Sequence, residues 1–281
     1  MVTLTFQSMA NEIQRQQRLS QDIANDQAKV SSGKKIRTAS EDPQSWVQIS
    51  EIGRAQVQHA AWSDNIAYGV SRSNKAEANL EQLNSIFSRA RELMINASTS
   101  SLDGAGQTAI VAELTNLRAV ASELLNETDY QGSPVFDDTV STKIPVSRAL
   151  NLEAVATRQS IAEGVDVGGT PRTLDDIFDE AINAVTSTNA VDRENSLTSL
   201  EAGLDHVILQ QSLQGIRSDR LKTIGERVVD TTLDLSERRS DLEDTDLTVT
   251  IARIQAQLLS LEAAQATFAR INRQSLFDLI R

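Results

Sequence analysis

The sequence contains no cysteine, only four prolines and two histidines, and few aromatic residues. Without cysteine the chain has no disulfide, no thiolate zinc site and no cysteine nucleophile. Aromatic residues make up 4% of the chain, whereas hydrophobic residues, with alanine counted, make up 40%. Because a compact core relies on large side chains, this composition favours long helices that pack along narrow seams.

The charge balance is acidic, with a net charge of −12 over 281 residues. No basic surplus exists to neutralise phosphates, so we expect neither nucleic acid nor an anionic membrane as a partner. No stretch is long and apolar enough to predict a bilayer span, and the amino terminus lacks the basic start and apolar core of a Sec-type signal. On the residues alone, the expected location is the cytosol.

Hydrophobic residues recur at alternating steps of four and three along much of the chain. The longest seam runs from Trp62 to Ala97, and a second runs from Ile110 to Leu124 after the interruption STSSLDGAG. Similar stripes cover 174–185, 197–235 and 247–271. This spacing predicts helices in a coiled-coil-like bundle, and the short turn between the first two predicts that they are antiparallel.

The middle of the chain has a different composition. Three of the four prolines, together with Gly164, Gly168 and Gly169, fall within 132–172. The runs STKIPVSRALNL and GVDVGGTP predict strands and turns rather than helix. The predicted fold is therefore mainly α, a long antiparallel helical bundle or coiled-coil rod with a small β-containing inserted domain.

The first thirty residues form a weak helical pattern. At heptad spacing from Met9, nearly half of the positions are polar. The polar positions are Gln16, Ser20 and Gln27, and the apolar ones are Met9, Ile13, Ile23 and Val30. Such a helix buries too little apolar surface to stay folded alone, so we expect it to be disordered until a partner covers it. The apolar carboxyl end, with Leu276, Phe277 and Leu279, is a complementary surface.

The stretch SSGKKIRTASEDPQSW (31–46) raises the question of phosphate binding. A phosphate loop needs glycine where Ala28 stands and Ser or Thr where Lys35 stands, and no strand precedes it. Instead, Gly33 is suited to the left-handed conformation that ends a helix. Asp42 is suited to cap the next helix, with Pro43 in its first turn. We therefore predict a connector between two helices.

The remaining candidates for chemistry lack partners. His59 and His206 lie far apart within helical segments, and we expect both to face solvent. The acidic run SERRSDLEDTD lacks the spaced ligands and the glycine of a calcium loop. We therefore expect no catalytic residue, cofactor, metal or small-molecule substrate, and the chain is predicted not to be an enzyme.

Several segments resemble the flagellin superfamily. KVSSGKKIRTASEDPQSWVQIS (29–50) is similar to its amino-terminal signature, in which a serine-glycine-lysine turn leads to Asp-Pro. IFSRARELMINASTSS (86–101) and NETDYQGSPVF (126–136) resemble the following helix and the turn after it. The carboxyl end from 240 to 281 is most similar to the members of the superfamily that join hook to filament.

The resemblance implies a structural adaptor of the bacterial flagellum whose termini pair as a coiled coil within a tubular assembly. It also implies export through the flagellar type III apparatus and an extracellular location at the hook–filament junction. The implied partners are further copies in a ring or tube, the other hook-associated junction protein, flagellin and an export chaperone. The expected assembly interface consists of Leu4, Phe6, Met9, Ile13, Ile23, Ile254, Leu258, Leu261, Phe268, Ile271, Leu276, Phe277 and Leu279.

The expected organisation follows from the patterning and the resemblance together. It comprises an amino-terminal assembly helix with its connector (1–42), the first part of the helical rod (43–131), the β-rich insertion (132–172), the returning part of the rod (173–240) and a carboxyl-terminal assembly helix (241–281). Two alternatives stay open on the sequence. One is a short filament flagellin, and the other is a cytosolic coiled-coil scaffold.

Overall fold

The computed structural model describes residues 2–99, 103–129 and 132–279, with side chains described at residue 7 and, within those ranges, from 9 to 270. Most of these residues are helical. The helices are α1 (Val2–Ser32), α2 (Pro43–Thr99), α3 (Gly104–Leu125), α4 (Arg158–Ala162), α5 (Leu174–Thr186), α6 (Ala190–Glu243) and α7 (Leu247–Leu279). The strands are β1 (Lys143–Pro145), β2 (Asn151–Glu153), β3 (Val165–Val167) and β4 (Thr170–Arg172).

The chain divides into two compact units. The terminal unit comprises Met1–Val57 and Thr232–Arg281, and the central unit comprises Gln58–Thr231. The predicted mainly α fold with a small β-containing insertion is confirmed. None of the described helices has the length and apolar character needed to cross a bilayer.

The core of the central unit lies along the predicted seam of α2. From Ile66 to Met94 every seam position is buried, and the flanking Trp62 and Ala97 are partly buried. Contacts between α2 and α6 run in opposite directions along the two helices. Ser73 of α2 contacts Gln214 of α6, whereas Arg91, further along α2, contacts Glu201, which is earlier in α6. The two helices are therefore antiparallel, in agreement with the predicted antiparallel bundle.

Close approach of α2 and α6 depends on a glycine. Gly203 of α6 packs against Phe87 of α2, and the Phe87 ring lies 4.9 Å from the ring of Phe178 in α5. A larger residue at 203 has no room, because a Cβ atom there would lie 2.6 Å from Phe87 Cε1. The glycine thus allows three helices to meet around two aromatic rings.

Two β-hairpins form the insertion. β1 pairs antiparallel with β2, and β3 pairs antiparallel with β4 through a two-residue turn, Gly168-Gly169. Both turn glycines have positive φ, 60° and 85°, as a tight hairpin of this kind requires. The apolar side chains of the insertion belong to the same buried cluster as those of the helices; they include Val135, Phe136, Ile144, Val146, Leu152, Ile161 and Val165.

Candidate assembly surface

Within the terminal unit, α1 packs along α7. Ile23 of α1 is buried, and so is Asp26 three residues later. The Asp26 carboxylate lies 3.5 Å from Lys29 Nζ and 4.0 Å from Arg253 of α7. The pairing of the two helices is therefore intramolecular and combines apolar contact with a partly screened ion pair.

The seam between the helices has a different phase from the predicted heptad. On α1 the less exposed positions run through Met9, Glu12, Gln16, Leu19, Ile23, Asp26 and Val30. On α7 they run through Thr250, Ile254, Gln257, Leu261, Ala264 and Phe268. Gln16 Nε2 and Gln257 Oε1 are buried atoms without a hydrogen-bond partner among the described residues. The seam thus combines apolar side chains with buried polar atoms, and these unsatisfied atoms weaken the pairing.

A second set of apolar side chains, outside the seam, is exposed to solvent. Ile13 is 44% exposed, Leu258 is 40% exposed and Leu259 is 69% exposed. Leu247, Val249 and Ile251 of α7 are exposed as well. The spacing of apolar residues did not reveal this division, because Ile13 and Leu258 fit the heptad although they lie outside the seam. We call these six residues the outer edge.

The residues predicted for the assembly interface fall into three groups. Ile23 is buried, whereas Met9, Ile254, Leu261 and Phe268 are half-buried between α1 and α7. Ile13 and Leu258 belong to the outer edge. The side chains of Leu4, Phe6, Ile271, Leu276, Phe277 and Leu279 lie outside the described residues, although their backbone positions belong to α1 and α7.

The connector after α1 is held by its own residues. Gly33 has a φ of 73°, in the left-handed region, at the end of α1. The Asp42 carboxylate accepts hydrogen bonds from the backbone N–H groups of Gln44 and Ser45, both at 3.1 Å, and from the Ser45 hydroxyl. Pro43 is the first residue of α2, where the missing N–H is not needed.

The same connector is tied to the turn between α6 and α7. Lys34 forms an antiparallel bridge with Asp244, and Thr245 N–H donates to the Gly33 carbonyl at 2.8 Å. Lys34 Nζ also contacts the Glu243 carboxylate, which accepts from Arg239 at 2.8 Å. Burial tends to raise the pKa of Glu243, but the hydrogen bonds and charges of Lys34 and Arg239 outweigh it, so the pKa lies below its ordinary value.

In the central unit a buried ion pair anchors the segment after α3. Arg72 Nη2 donates to Asp137 Oδ1 at 2.8 Å and to the Pro134 carbonyl at 2.9 Å. Asp137 also accepts from Thr142 N–H at 2.6 Å. Burial tends to raise the pKa of Asp137, but the hydrogen bond from Thr142 and the contact with Arg72 prevail and hold it below its ordinary value.

Sequence reasoning missed the structural role of Gln214. Its side chain is fully buried and donates to Ser73 Oγ at 2.7 Å and to the Ala154 carbonyl at 2.8 Å. Its amide oxygen accepts from Ala156 N–H at 3.2 Å. A glutamine in an apolar stripe looks like a weakening of the seam, whereas here it links α6, α2 and the insertion. Only the position at a buried seam phase gives a sequence signal for this role.

The described residues contain no group of acidic or histidine side chains arranged to hold a metal ion. The expectation that both histidines face solvent is wrong. His59 and His206 are each partly buried. His59 stacks edge-on against Trp62 at 4.8 Å, and His206 Nε2 lies 3.2 Å from the Ser160 carbonyl. The ring of His59 and the Nε2 atom of His206 therefore make structural contacts.

The chain has long helices near both ends that pair with each other, and in sequence a helical unit with a β insertion lies between them. This arrangement can be compared with that of known protein families. Residues 4–141 match the family described as the bacterial flagellin N-terminal helical region. Over these residues the chain is similar to the flagellin superfamily.

Particular relatives cover nearly the whole chain. Flagellar hook-associated protein 3 of Escherichia coli K12 is 22% identical over 287 residues, which cover 89% of this chain and 90% of that protein. The flagellin of Bacillus subtilis 168 is 26% identical over 278 residues, covering 90% and 91%. The crystal structure of hook-associated protein-3 from Legionella pneumophila matches with a TM-score of 0.60 at 13% identity, over 69% of this chain and 98% of that one. The structural likeness shows a shared fold.

Proposed function

We propose that this chain is a structural subunit of the bacterial flagellum that joins hook to filament. The observation that carries the proposal is the outer edge of α1 and α7, on which apolar side chains such as Ile13, Leu258 and Leu259 are exposed. Exposed apolar side chains arranged along paired helices are covered when neighbouring subunits pack against them. A subunit of a tubular assembly has such neighbours.

The junction role is favoured over a filament role by two lines of support. The relative from Escherichia coli, aligned over nearly the whole chain, is named for the hook-associated group. The fold is shared with a hook-associated protein whose structure is covered almost entirely. The identity of 26% to a flagellin keeps the filament role as the second candidate.

The remaining parts of the proposal follow from this role. The partners are the other hook-associated junction protein, flagellin, further copies of this chain and an export chaperone. The location is extracellular at the hook–filament junction, reached through the flagellar type III apparatus. The role is structural and not enzymatic.

The chain is proposed to divide this work among its segments. Residues 1–42 and 241–281 act as assembly segments, 43–131 and 173–240 act as the helical rod, and 132–172 form the insertion. The assembly interface combines the outer edge with the predicted interface residues of both termini. Because the seam between α1 and α7 contains unsatisfied polar atoms and leaves the outer edge exposed, these segments gain most of their order when copies stack.

A single-site label tests the role directly. The natural chain has no cysteine, so Val140→Cys, at a position in the central unit that is 78% exposed, accepts one maleimide dye. Cells that produce this variant in place of the natural chain should show a single labelled spot where each filament meets its hook. The unsubstituted chain, treated in the same way, is the control for non-specific labelling.

The outcomes separate the candidates. Label along the entire filament would establish the flagellin role instead. Label confined to the cell body, with full-length flagella present, would overturn both. Loss of swimming on deletion of the gene, with hooks still assembled, is expected of the junction role.

A further inference from the structure

A groove in the central unit collects positive charge in an otherwise acidic protein. It lies between the β1–β2 hairpin and α6 and has a volume of about 350 Å³. Its lining residues are Lys143, Asn151, Leu152, Glu153, Arg217 and Arg220. Three cations therefore face one carboxylate, although the whole chain carries a net charge of −12.

The cations of this groove lack ion-pair partners. Among the described residues, none of Lys143, Arg217 and Arg220 lies within ion-pair distance of a carboxylate, and Arg217 Nη1 is a buried atom without a hydrogen bond. Elsewhere in the same unit the arginines that contact carboxylates are Arg72, Arg89, Arg91, Arg118, Arg158 and Arg172. Unpaired cations in a protein with a surplus of carboxylates, one of them with a buried donor left unsatisfied, mark a surface with capacity for an external anion.

Apolar side chains continue this surface along α6. Leu209, Leu213 and Ile216 are all exposed, Ile216 by 64%, and they follow one another at steps of four and three. Arg220 follows Ile216 by four residues, so it lies on the same face of the helix. We call Leu209, Leu213, Ile216 and the groove cations the α6 docking surface.

The chemistry of this surface selects the kind of partner. A small anion would occupy the cations but leave the apolar side chains in water. Nucleic acid is disfavoured because its phosphates would meet a protein of strongly negative net charge. A protein face that carries carboxylates beside apolar side chains satisfies both parts of the surface.

We propose that the α6 docking surface binds a carboxylate-bearing face of a second copy of this chain. The inference rests on the proposed function, in which copies of the chain stack against one another. Each copy carries 39 acidic residues against 27 lysines and arginines, so neighbouring copies repel each other unless cations lie at the contact. The α6 docking surface places unpaired cations beside apolar contact area, where they offset that repulsion.

Photo-crosslinking on isolated flagella tests the contact. In the Ile216→Cys variant, position 216 carries the only thiol of the chain and is coupled to a maleimide-benzophenone. Illumination should give an adduct of twice the chain mass, in which mass spectrometry identifies an Asp- or Glu-containing peptide of the same protein. An adduct with a different protein, or no adduct, overturns the proposal.

A matched pair of charge reversals tests the role of the cations. Arg220→Glu and Lys222→Glu change the charge equally at exposed positions two residues apart on α6, but only Arg220 lines the groove. Arg220→Glu should lower the adduct yield at least fivefold, whereas Lys222→Glu should leave it within twofold. Equal losses would indicate an effect of overall charge and would overturn the proposal. Arg220→Gln is the fallback if Arg220→Glu alters the circular dichroism melting curve.

Failure of this inference is distinguishable from failure of the proposed function. If the Val140→Cys label stays at the hook–filament joint while position 216 gives no adduct between copies, the docking proposal fails and the junction role stands. If the label is absent from the flagellum, the junction role fails as well.

Discussion

Gly203 of α6 lies so close to Phe87 of α2 that a Cβ atom would come within 2.6 Å of the Phe87 Cε1 atom. Gly203→Ala should therefore lower the free energy of unfolding by about 2 kcal/mol, although alanine favours helix. Gly215→Ala is the matched control on the same helix, because no atom lies within 4 Å of its added Cβ. The control should raise stability by up to about 1 kcal/mol. Urea unfolding followed by circular dichroism measures both, and equal effects would contradict the close packing.

Gln214 holds three parts of the central unit together. Gln214→Ala removes its hydrogen bonds and leaves the Ala154 carbonyl and the Ala156 N–H buried without partners. We expect a loss of about 3 kcal/mol in the free energy of unfolding. Gln82→Ala, at an exposed glutamine of α2, should change stability by less than about 0.5 kcal/mol. A loss below 1 kcal/mol at 214 would show that the network adds little.

The Arg72–Asp137 pair should make stability depend on pH. Because the pKa of Asp137 is lower in the folded chain than in the unfolded one, its contribution is fully present above the unfolded value of about 3.9. It is lost as the pH falls from there through the folded value. Asp137→Asn should reduce this dependence and, at neutral pH, lower stability by about 3 kcal/mol, since Arg72 stays buried without its counter-ion.

Denaturant unfolding between pH 2 and 7 measures the effect. Glu123→Gln removes an exposed carboxylate of α3 and serves as the control. The free energy of unfolding of the Glu123→Gln variant should depend on pH in the same way as that of the unsubstituted chain. A variant Asp137→Asn with an unchanged profile would show that this carboxylate does not contribute to the pH dependence.

The unsatisfied polar atoms in the seam between α1 and α7 should make these helices the least protected of the long helices. In hydrogen exchange on the dilute full-length chain, peptides within 9–32 and 247–270 should exchange at least a hundredfold faster than those within 76–94 of α2. Assembly into flagella should slow their exchange. Uniform protection of the dilute chain would contradict the expectation that assembly orders the termini.

Leu258→Ala separates the outer edge from the seam. It removes an exposed apolar side chain, so it should leave exchange in the dilute chain unchanged while weakening protection in the assembled state. Leu261→Ala, in the half-buried seam, is the counterpart and should speed exchange in both states. Identical behaviour of the two variants would remove the distinction between the edges.

The sequence predicted those parts of the fold for which the residue pattern is compatible with only one kind of secondary structure. The seam of α2 from Trp62 to Ala97 alternates steps of four and three without a slip. The strands of the insertion were predictable because its glycines and prolines favour turns and short strands over long helices, although the short helix α4 was not predicted. The positions of both hairpins agree with the runs that predicted strands.

The remainder depends on contacts between distant parts of the chain. The phase of the α1–α7 seam was missed because Ile13 and Leu258 satisfy an apolar heptad, whereas the structure places the polar Glu12 and Gln257 in the seam. The role of Gln214 was missed because its partners belong to the insertion. The α6 docking surface gives no sequence motif, since Lys143 and Arg217 meet only after the hairpin has folded against α6.

The seam with its unsatisfied Gln16 and Gln257 atoms, together with the exposed apolar outer edge, makes the terminal unit sensitive to dilution. Binding of a neighbour to the folded form shifts the folding equilibrium by mass action, so the midpoint of thermal unfolding of these helices rises with protein concentration. The core of the central unit is closed within one chain, and its unfolding responds to temperature and denaturant. One polypeptide thus joins a part whose core is complete within one chain to a part whose melting reports how many copies are nearby.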